Sequence, residues 1–348
     1  MKKKTITILG IETSCDDTGI AVLEVKKQKF RVLSNIVSSQ TKIHAEYGGV
    51  YPLLAKREHQ KNLPTVLKQA LEKAKNPKLN LIAVTVGPGL EPCLWQGINF
   101  AKKLAENMNI PIIPVNHIEA HIFANLVKNE DLKPEQIFPA ICLIASGGHT
   151  QLILIKKWGD YKILGETLDD AAGECFDKTA RVLGLDYPGG PAIEAQAAQA
   201  SSLKYKINLP RPMIHQKTYN FSFSGLKTAV LYHHQKQDKK TQKSKSYIKA
   251  MAKEIQNAII DVLMKRTFEA AENYKVKSII LGGGVTANKE LRKRFKQKAR
   301  KLKLQIMLPD RKQSTDNALM VAVAGYYNWL KQKKKRRRIE ANANLRLK

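Results

Sequence analysis

Residues 5–25 read TITILGIETSCDDTGIAVLEV and decide the fold of this chain. The stretch begins as an apolar strand, passes through a turn of Thr, Ser, Asp and Gly, and ends as a second apolar strand, which is typical of a β-hairpin. Residues 139–157, PAICLIASGGHTQLILIKK, repeat the same order of strand, small polar turn and strand. The sequence therefore predicts two related halves, each containing such a hairpin.

The repetition continues downstream of each hairpin. Residues 81–89 (LIAVTVGPG) and 278–285 (SIILGGGV) are each a buried-strand run that ends in glycines. Apolar residues at i, i+3, i+4 spacing predict helices between the strands. The predicted helices are Gln60–Ala74, Asn99–Met108, Glu174–Leu183, Tyr247–Tyr274 and Ala318–Lys331. Strands that alternate with helices predict an α/β fold with mixed or parallel sheets covered by helices.

The length of 348 residues favours two lobes, each with its own core. We predict an N-terminal lobe of residues 1–130 that is completed by a C-terminal helix at 317–335. A C-terminal lobe then spans residues 131–316, and a basic tail spans residues 336–348.

Charge is the unusual feature of the composition. The 60 Lys and Arg residues exceed the 30 Asp and Glu residues, which gives a net charge of +30. Such an excess attracts polyanions and favours nucleic acid as a partner, with a Lys-rich proteome as the alternative explanation. The four cysteines are widely separated, so neither a disulfide framework nor a zinc ribbon is indicated and a reducing cytoplasm is expected. No signal peptide or membrane-spanning run is recognisable, so we expect no membrane association.

Small polar turns between paired strands can direct backbone N–H groups at a phosphate. Thr13–Gly19 and Ser146–Thr150 are two such turns in corresponding places of the two halves. A third glycine turn precedes a predicted helix at Val285–Arg292, whose N-terminus suits an anion. A plain hairpin explains one turn alone, but the three together indicate a nucleotide site. Near these turns, the carboxylates of Asp177 and Glu194 are candidates for binding ribose hydroxyls.

The motif Asn116-His117-Ile118-Glu119-Ala120-His121 places two histidines four residues apart. On a helix they share one face, as two metal ligands require, although two core or surface histidines would show the same spacing. Glu119 would project away from them, unlike the glutamate of an H-E-x-x-H metalloprotease. Asp316, which we predict to cap the final helix at a lobe boundary, is the candidate third ligand. Two histidines and one carboxylate suit iron(II) or zinc.

Nine sequence blocks now stand in order along the chain: GIETSCDDTG, HAEYGGVYP, GPGL, HIEAH, ASGGHTQ, DDAAGECFDKTARVLGLDYPGGP, NFSFSGLKTA, GGGVTAN and STDNA. With these blocks the chain closely resembles the tRNA N6-adenosine threonylcarbamoyltransferase family, long labelled O-sialoglycoprotein endopeptidases. The NFSFSGLKTA block is similar to the bacterial branch. The resemblance implies a duplicated fold of the actin, sugar kinase and heat-shock ATPase type (ribonuclease H-like), with two lobes around a nucleotide cleft.

The resemblance also implies the members of the site. One Fe²⁺ or Zn²⁺ per subunit would be held by His117, His121 and Asp316. The substrate-binding residues would be Ile144, Ala145, Ser146, Gly147, Gly148, Asp177, Gly190, Glu194 and Asn288. The implied partners are tRNA, threonylcarbamoyl-AMP, a smaller paralogue of the same fold and a P-loop ATPase.

The implied reaction is attack by N6 of the adenosine 3′ of the anticodon, in tRNAs reading ANN codons, on the carbamoyl carbon of threonylcarbamoyl-AMP, which releases AMP. Our candidates for the catalytic residues are Asp16, which would steer the attacking amine, and Glu12, which would support its turn. A metalloprotease would explain the histidines but not the nucleotide turns. A kinase or chaperone-like ATPase would explain the turns but leave the metal ligands without a role.

The chain departs from the family pattern at a few positions. Residues 50–53 read VYPL where the family usually has V-P-E after the paired glycines, so a carboxylate is missing at Leu53. Lys56 and Cys93 stand where a small serine is common. Every implied metal and nucleotide residue is present.

Overall fold

A computed structural model describes residues 5–127, 134–200, 205–331 and 339–347. The strands are β1 (Ile6–Glu12), β2 (Asp17–Lys26), β3 (Lys29–Ser39), β4 (Leu81–Gly87), β5 (Ile112–Asn116), β6 (Ala140–Ala145), β7 (Thr150–Lys157), β8 (Asp160–Glu166), β9 (Ser278–Gly282) and β10 (Gln305–Met307). The helices are α1 (Thr41–Ala45), α2 (Pro52–Lys73), α3 (Glu91–Met108), α4 (His117–Phe123), α5 (Pro134–Ile137), α6 (Ala172–Val182), α7 (Gly189–Ala198), α8 (Ser224–Gln235), α9 (Lys239–Gln242), α10 (Lys245–Asn273), α11 (Lys289–Lys301) and α12 (Ala318–Lys331). None of the helices in these ranges combines the length and apolar character needed to span a bilayer.

The chain divides into two compact units. The first unit comprises Met1–Leu132 and Thr315–Leu347, and the second comprises Lys133–Ser314. The lobe boundary predicted at residue 130 lies outside the described residues, as do residues 332–338 of the basic tail. Asp316 and helix α12 belong to the first unit.

The first unit is built on a five-stranded sheet in the order β3-β2-β1-β4-β5. β1 pairs antiparallel with β2 and parallel with β4, so it lies in the middle of the sheet. Successive strand residues face opposite sides, and Leu9 and Ile11 enter the apolar core that α2 and α3 cover. Gly10, between them, lies against α12 so closely that an added Cβ would be 2.2 Å from the carbonyl oxygen of Ala318. The sheet is therefore covered by helices on both faces.

The second unit has the same sheet topology. Its strand order is β10-β9-β6-β7-β8, in which β6 pairs antiparallel with β7 and parallel with β9, as β1 does with β2 and β4. Helices α6, α7, α8, α10 and α11 supply its main core together with one face of β6. The prediction of an α/β fold with two related halves is confirmed.

Some helix boundaries differ from the sequence predictions. Residues 284–287 form a 3₁₀ turn, and α11 begins only at Lys289, because Asn288 caps it by accepting a hydrogen bond from the Leu291 amide at 3.0 Å. The prediction of a helix from Val285 is therefore wrong by one turn. Helix α2 begins at Pro52, eight residues before the predicted start, since a proline in the first turn of a helix needs no hydrogen-bond partner for its nitrogen.

Residues 339–347 of the predicted basic tail lie against the first unit. Ile339, Ala341 and Leu345 pack against the core of the first unit. The Asn342 amide donates to the Val86 carbonyl at 2.8 Å, and the Gly89 amide donates to the Ala343 carbonyl at 3.2 Å. We call residues 339–347 the C-terminal strap. It rests on the turn that follows β4.

Candidate functional site: a histidine–carboxylate centre and a glycine turn

The first candidate site is assembled at the N-terminus of α4. Asn116 ends β5, and its side chain accepts hydrogen bonds from the amides of Ile118 at 2.8 Å and Glu119 at 3.1 Å. This cap starts the helix at His117, so that His117 and His121 lie one turn apart on the same face. Both imidazoles are buried, with ring centroids 4.7 Å apart.

Asp316 reaches the two histidines from the chain segment before α12. Its Oδ1 lies 3.1 Å from Nε2 of His121 and 3.6 Å from Nε2 of His117. Asn317, rather than Asp316, caps α12, because its side chain accepts from the Met320 amide at 3.3 Å. The Asp316 carboxylate is therefore directed at the histidines instead of the helix end.

The three side chains fit a metal ion. One potential ligand atom from each residue lies within 4.8 Å of the other two. Two ligands bound at 2.0–2.2 Å to one tetrahedral metal are about 3–4 Å apart, close to the separations seen here. Both ring nitrogens of His121 are buried and make no hydrogen bond in the described structure. A metal ion would satisfy the nitrogen that faces Asp316.

Glu12 holds His117 from the side opposite Asp316. Oε2 of Glu12 lies 3.2 Å from Nδ1 of His117 and accepts a 2.7 Å hydrogen bond from the Thr85 hydroxyl. Its other oxygen accepts from the Ser14 amide at 2.6 Å. A carboxylate on Nδ1 fixes the tautomer that leaves Nε2 without a proton, which is the form that binds metal. Glu12 is fully buried at the end of β1 and positions His117.

The electrostatics around the centre favour a cation. Burial opposes protonation of His117, but the Asp316 and Glu12 carboxylates raise its pKa to about 9. Burial and then the charge of Asp316 raise the pKa of Asp16, and burial raises the pKa of Asp17 to about 7. The carboxyl groups of Glu12, Asp16, Asp17 and Asp316 thus share this region with the two imidazoles. A divalent cation would neutralise the excess negative charge.

Glu119 lies away from the metal ligands, as the sequence predicted. Its carboxylate accepts a hydrogen bond from Nδ2 of Asn328 on α12 at 3.1 Å. This hydrogen bond holds Glu119 on the side of α4 that faces away from the histidines. The geometry therefore gives no support to a metalloprotease in which that glutamate activates water.

The turn between β1 and β2 is closed by its own chain. Thr13 and Ser14 are buried, and the Thr13 hydroxyl donates to the Cys93 carbonyl at 3.0 Å. Gly89 approaches so closely that an added Cβ would lie 2.6 Å from the Ser14 carbonyl oxygen. Since the Ser14 amide already serves Glu12, the structure does not support the expectation that this turn binds phosphate. The Ser14 hydroxyl instead lies 3.2 Å from Nδ1 of His117.

The corresponding turn of the second unit is open. It follows Ile144 and Ala145, which end β6, and the Ser146 amide donates to the His149 carbonyl at 2.8 Å. An added Cβ on Gly147 or Gly148 would meet no atom within 4 Å. Backbone N–H groups in a glycine turn of this kind are accessible to a phosphate.

The remaining predicted substrate residues lie on three helices of the second unit. Oδ1 of Asp177 on α6 accepts from the Gly189 amide at 2.7 Å, which fixes the start of α7 beside Gly190. Glu194 on α7 accepts from the Lys289 amide at 3.0 Å. Asn288 is buried; besides capping α11, its Nδ2 donates to Oε1 of Gln256 at 2.8 Å. An added Cβ on Gly190 would meet open space.

Sequence reasoning missed the residues that hold the others in place. Thr85, Asn116 and Gln256 orient Glu12, α4 and Asn288, respectively. An Asn immediately before the helical histidines is a recognisable capping signal and could have identified Asn116. Thr85 and Gln256 are far along the chain from their partners and carry no local signal.

Comparison with known proteins agrees with this geometry. The pattern of the tRNA N6-adenosine threonylcarbamoyltransferase family matches residues 31–323. A curated protein of that name from Thermosipho africanus is 46% identical over 98% of this chain and 99% of its own length. Another from Thermotoga neapolitana is 44% identical over 92% of this chain and 93% of its own length.

Solved structures identify the fold. A full-length HypF in its phosphate- and nucleotide-bound form matches 95% of this chain and 56% of its own, with a TM-score of 0.59 and 14% identity. Component A of (R)-2-hydroxyglutaryl-CoA dehydratase from Acidaminococcus fermentans matches 94% of this chain and 100% of its own, with a TM-score of 0.52 and 14% identity. These likenesses confirm the predicted actin-like and sugar-kinase-like fold class. On the sequence matches, the chain belongs to the family of tRNA N6-adenosine threonylcarbamoyltransferases, which are transferases that modify tRNA.

Proposed function

We propose that this chain transfers the threonylcarbamoyl group of threonylcarbamoyl-AMP to N6 of the adenosine 3′ of the anticodon in tRNAs reading ANN codons. The adenosine N6 forms a bond to the carbamoyl carbon, the bond from that carbon to the phosphate oxygen breaks, N6 loses a proton, and AMP leaves. The observation that carries the proposal is the match to this family over almost the whole chain. The experiment that tests it combines purified protein, threonylcarbamoyl-AMP and unmodified tRNA, with nucleoside analysis of the product. Unmodified adenosine alone, with every required partner present, would refute it.

For the adenylate we propose the second unit as the binding surface. Ser146, Gly147 and Gly148 form an open turn whose amides suit the phosphate, and Asp177 and Glu194 suit ribose hydroxyls. An exocyclic amine is a weak nucleophile, so the rate gain comes mainly from holding the reacting atoms in place. Asp16, near the histidine centre of the first unit, is our candidate for orienting that amine.

For the cofactor we propose one Fe²⁺ or Zn²⁺ held by His117, His121 and Asp316. When bound, such a metal supplies Lewis acidity to an oxygen of the substrate. His121→Ala should abolish metal binding, because it removes one of the three side chains that would hold the ion. Metal analysis of the folded variant, with Asn328→Ala on the remote side of α4 as the control, decides this point.

The Asn288 proposal needs a matched pair of variants because this side chain also caps a helix. Asn288→Ala loses the cap, which costs about 0.5–2 kcal/mol of stability, together with any nucleoside contact. Asn288→Asp keeps an oxygen for the Leu291 amide but loses the amide nitrogen. If Nδ2 contributes to nucleoside binding, calorimetry with AMP should show weaker affinity in both variants. Normal affinity in the Asp variant would assign Nδ2 only to packing against Gln256.

We also propose that the chain acts in the cytoplasm with the partners that the resemblance implies, a smaller paralogue of the same fold and a P-loop ATPase. The support is family membership together with four cysteines that are all free thiols. Reconstitution with and without each partner tests this, with modified adenosine as the readout.

A further inference from the structure

The second unit contains a cavity that the adenylate residues do not line. It has a volume of about 670 Å³, is open to solvent, and lies among the segment at 211–215, helix α10 and helix α11. Four cationic side chains line it, together with the single carboxylate of Asp261. The cations are Arg211, Lys265, Arg294 and Lys298.

Two of these cations are held in place by one acid. Arg211 lies 2.9 Å from Oδ2 of Asp261, while Arg294 pairs with Oδ1 of the same side chain. Arg211 also pairs with Glu254. The guanidinium groups are thereby fixed at the cavity wall. Arg211 donates to Asp261, Glu254 and the Leu209 carbonyl, so most of its five N–H groups are already engaged.

Lys298 carries charge that its neighbours do not balance. Its ammonium lies 4.7 Å from the ring centre of Phe268, and across the described ranges no carboxylate oxygen lies within 4 Å of it. Burial and then the charge of Lys265 lower the pKa of Lys298; Arg294 adds to this and Glu272 opposes it. Lys265 has a long ion pair with Glu269 at 3.9 Å, so Lys298 is the lining cation whose charge a bound anion would balance most directly.

A second set of cations lies on the face of α11 opposite Arg294 and Lys298, outside the cavity lining. Lys289, Lys293, Lys296 and Arg300 are exposed at spacings of three and four residues, so they form one stripe. From the first to the last, the stripe is about 16 Å long at 1.5 Å per residue. A single small anion cannot engage that length, whereas a polyanion can.

We propose that this cavity binds backbone phosphates of the RNA substrate, with Lys265 and Lys298 as the contacting cations and Asp261 limiting its charge, while the α11 stripe offers the same polyanion further contacts on another face of the helix. The inference rests on the proposed function, since tRNA is the polyanion that the family modifies. Not every basic residue of α11 is available to such an anion. Arg292 donates to the carbonyls of Thr286 and Pro309, so it is a structural residue and not a phosphate contact.

The test measures tRNA affinity at several salt concentrations for the wild type and for Lys265→Gln/Lys298→Gln. For each lost phosphate contact, the slope of log tRNA affinity against log salt concentration should become shallower by about 1. The fall in affinity between 50 and 200 mM salt should then be roughly threefold smaller. The control is Lys156→Gln/Lys157→Gln, which removes the same charge from exposed positions of the same unit. Asp261→Asn is the opposite perturbation and should tighten tRNA binding with a steeper slope. Binding of AMP should stay unchanged in all four proteins.

The outcomes separate the inference from the proposed function. If the wild type neither binds nor modifies tRNA, both fail together. If the wild type modifies tRNA but both lysine pairs give equal slopes, the cavity is not the phosphate site and only this inference is overturned. Inorganic phosphate added as a competitor identifies the source of the anion. If millimolar phosphate binds the wild type but not the cavity variant, and tRNA affinity is the same for both, the site takes free phosphate and the RNA assignment is wrong.

Discussion

Glu12→Gln should weaken metal binding without removing any metal ligand. The side chains have the same shape, and the Gln carbonyl can still accept from the Ser14 amide. Its NH₂ group then faces Nδ1 of His117 and the Thr85 hydroxyl, both of which now meet a carboxylate oxygen. A donor at this position favours the imidazole tautomer with its proton on Nε2, and that proton must leave before Nε2 can bind a metal.

The expected loss of metal affinity follows from the position of Glu12 as the carboxylate partner of a metal-binding histidine. Loss of an outer carboxylate partner of a metal-bound histidine typically costs 10- to 100-fold in metal affinity. Glu12 is fully buried and its interaction with His117 is charge-assisted, which places the expected loss toward the upper part of that range. Thr85→Val is the matched control, since it removes one hydrogen bond to Glu12 but keeps the carboxylate on His117. It should weaken metal binding less than tenfold.

Competition with a chromophoric chelator gives the metal dissociation constants of both variants under anaerobic conditions. Circular dichroism of the metal-free proteins checks that they fold. Equal dissociation constants for the wild type and Glu12→Gln would refute the reasoning, because His117 would then bind metal without its carboxylate partner. A larger loss in Thr85→Val than in Glu12→Gln would also contradict it.

Three further predictions concern stability. In the metal-free protein, the raised pKa of Asp17, about 7, lies above the ordinary carboxyl pKa near 4 of the unfolded chain, so the unfolding free energy should fall as pH rises from about 4 to 7. Urea titrations should show that Asp17→Asn reduces this slope, with the remainder due to Asp16, whose pKa is also raised. An unchanged slope would assign it to other groups. Leu345→Ala should lower the unfolding free energy by about 1–2 kcal/mol, because the side chain packs against the core of the first unit. The control is Asn344→Ala, at an exposed position of the same segment. Equal melting temperatures for the two variants would mean that the C-terminal strap adds no stability. Asn116→Ala should lower the unfolding free energy by about 0.5–2 kcal/mol, because it removes the cap of α4, whereas Asn116→Asp keeps a capping oxygen and should not. Equal losses for the two variants in chemical denaturation would show that the cap is not the cause.

Much of the fold was predictable because its signals are local and repeated. The two hairpins are visible as apolar runs around small polar turns, and the sheets that contain them have matching strand orders. His117 and His121 were predictable as a pair because helical spacing alone puts them on one face. Their buried surroundings were not, because Glu12 reaches His117 from a strand 105 residues away in sequence, and Thr85, which holds Glu12, lies 73 residues from Glu12.

Other features failed for identifiable reasons. Asp316 and Asn317 are both good capping residues, so sequence could not decide which of them caps α12 and which faces the histidines. The C-terminal strap has apolar residues at alternate positions, Ile339, Ala341, Ala343 and Leu345, but the strongly basic run immediately before them led to the prediction of a basic tail. The open or closed state of a glycine turn depends on which distant segment packs against it. That information is absent from the turn itself.

The matching topology of the two sheets puts the turns after β1 and β6 at corresponding positions. In the first unit that position carries Thr13 and Ser14 and is sealed by the Gly89 turn, whereas in the second it carries Gly147 and Gly148 and faces open space. The Ser14 amide and hydroxyl are engaged by Glu12 and His117, while the glycine backbone of the second turn stays accessible. Equivalent places in the two sheets therefore differ in chemistry, since one supports a buried side chain and the other presents bare backbone.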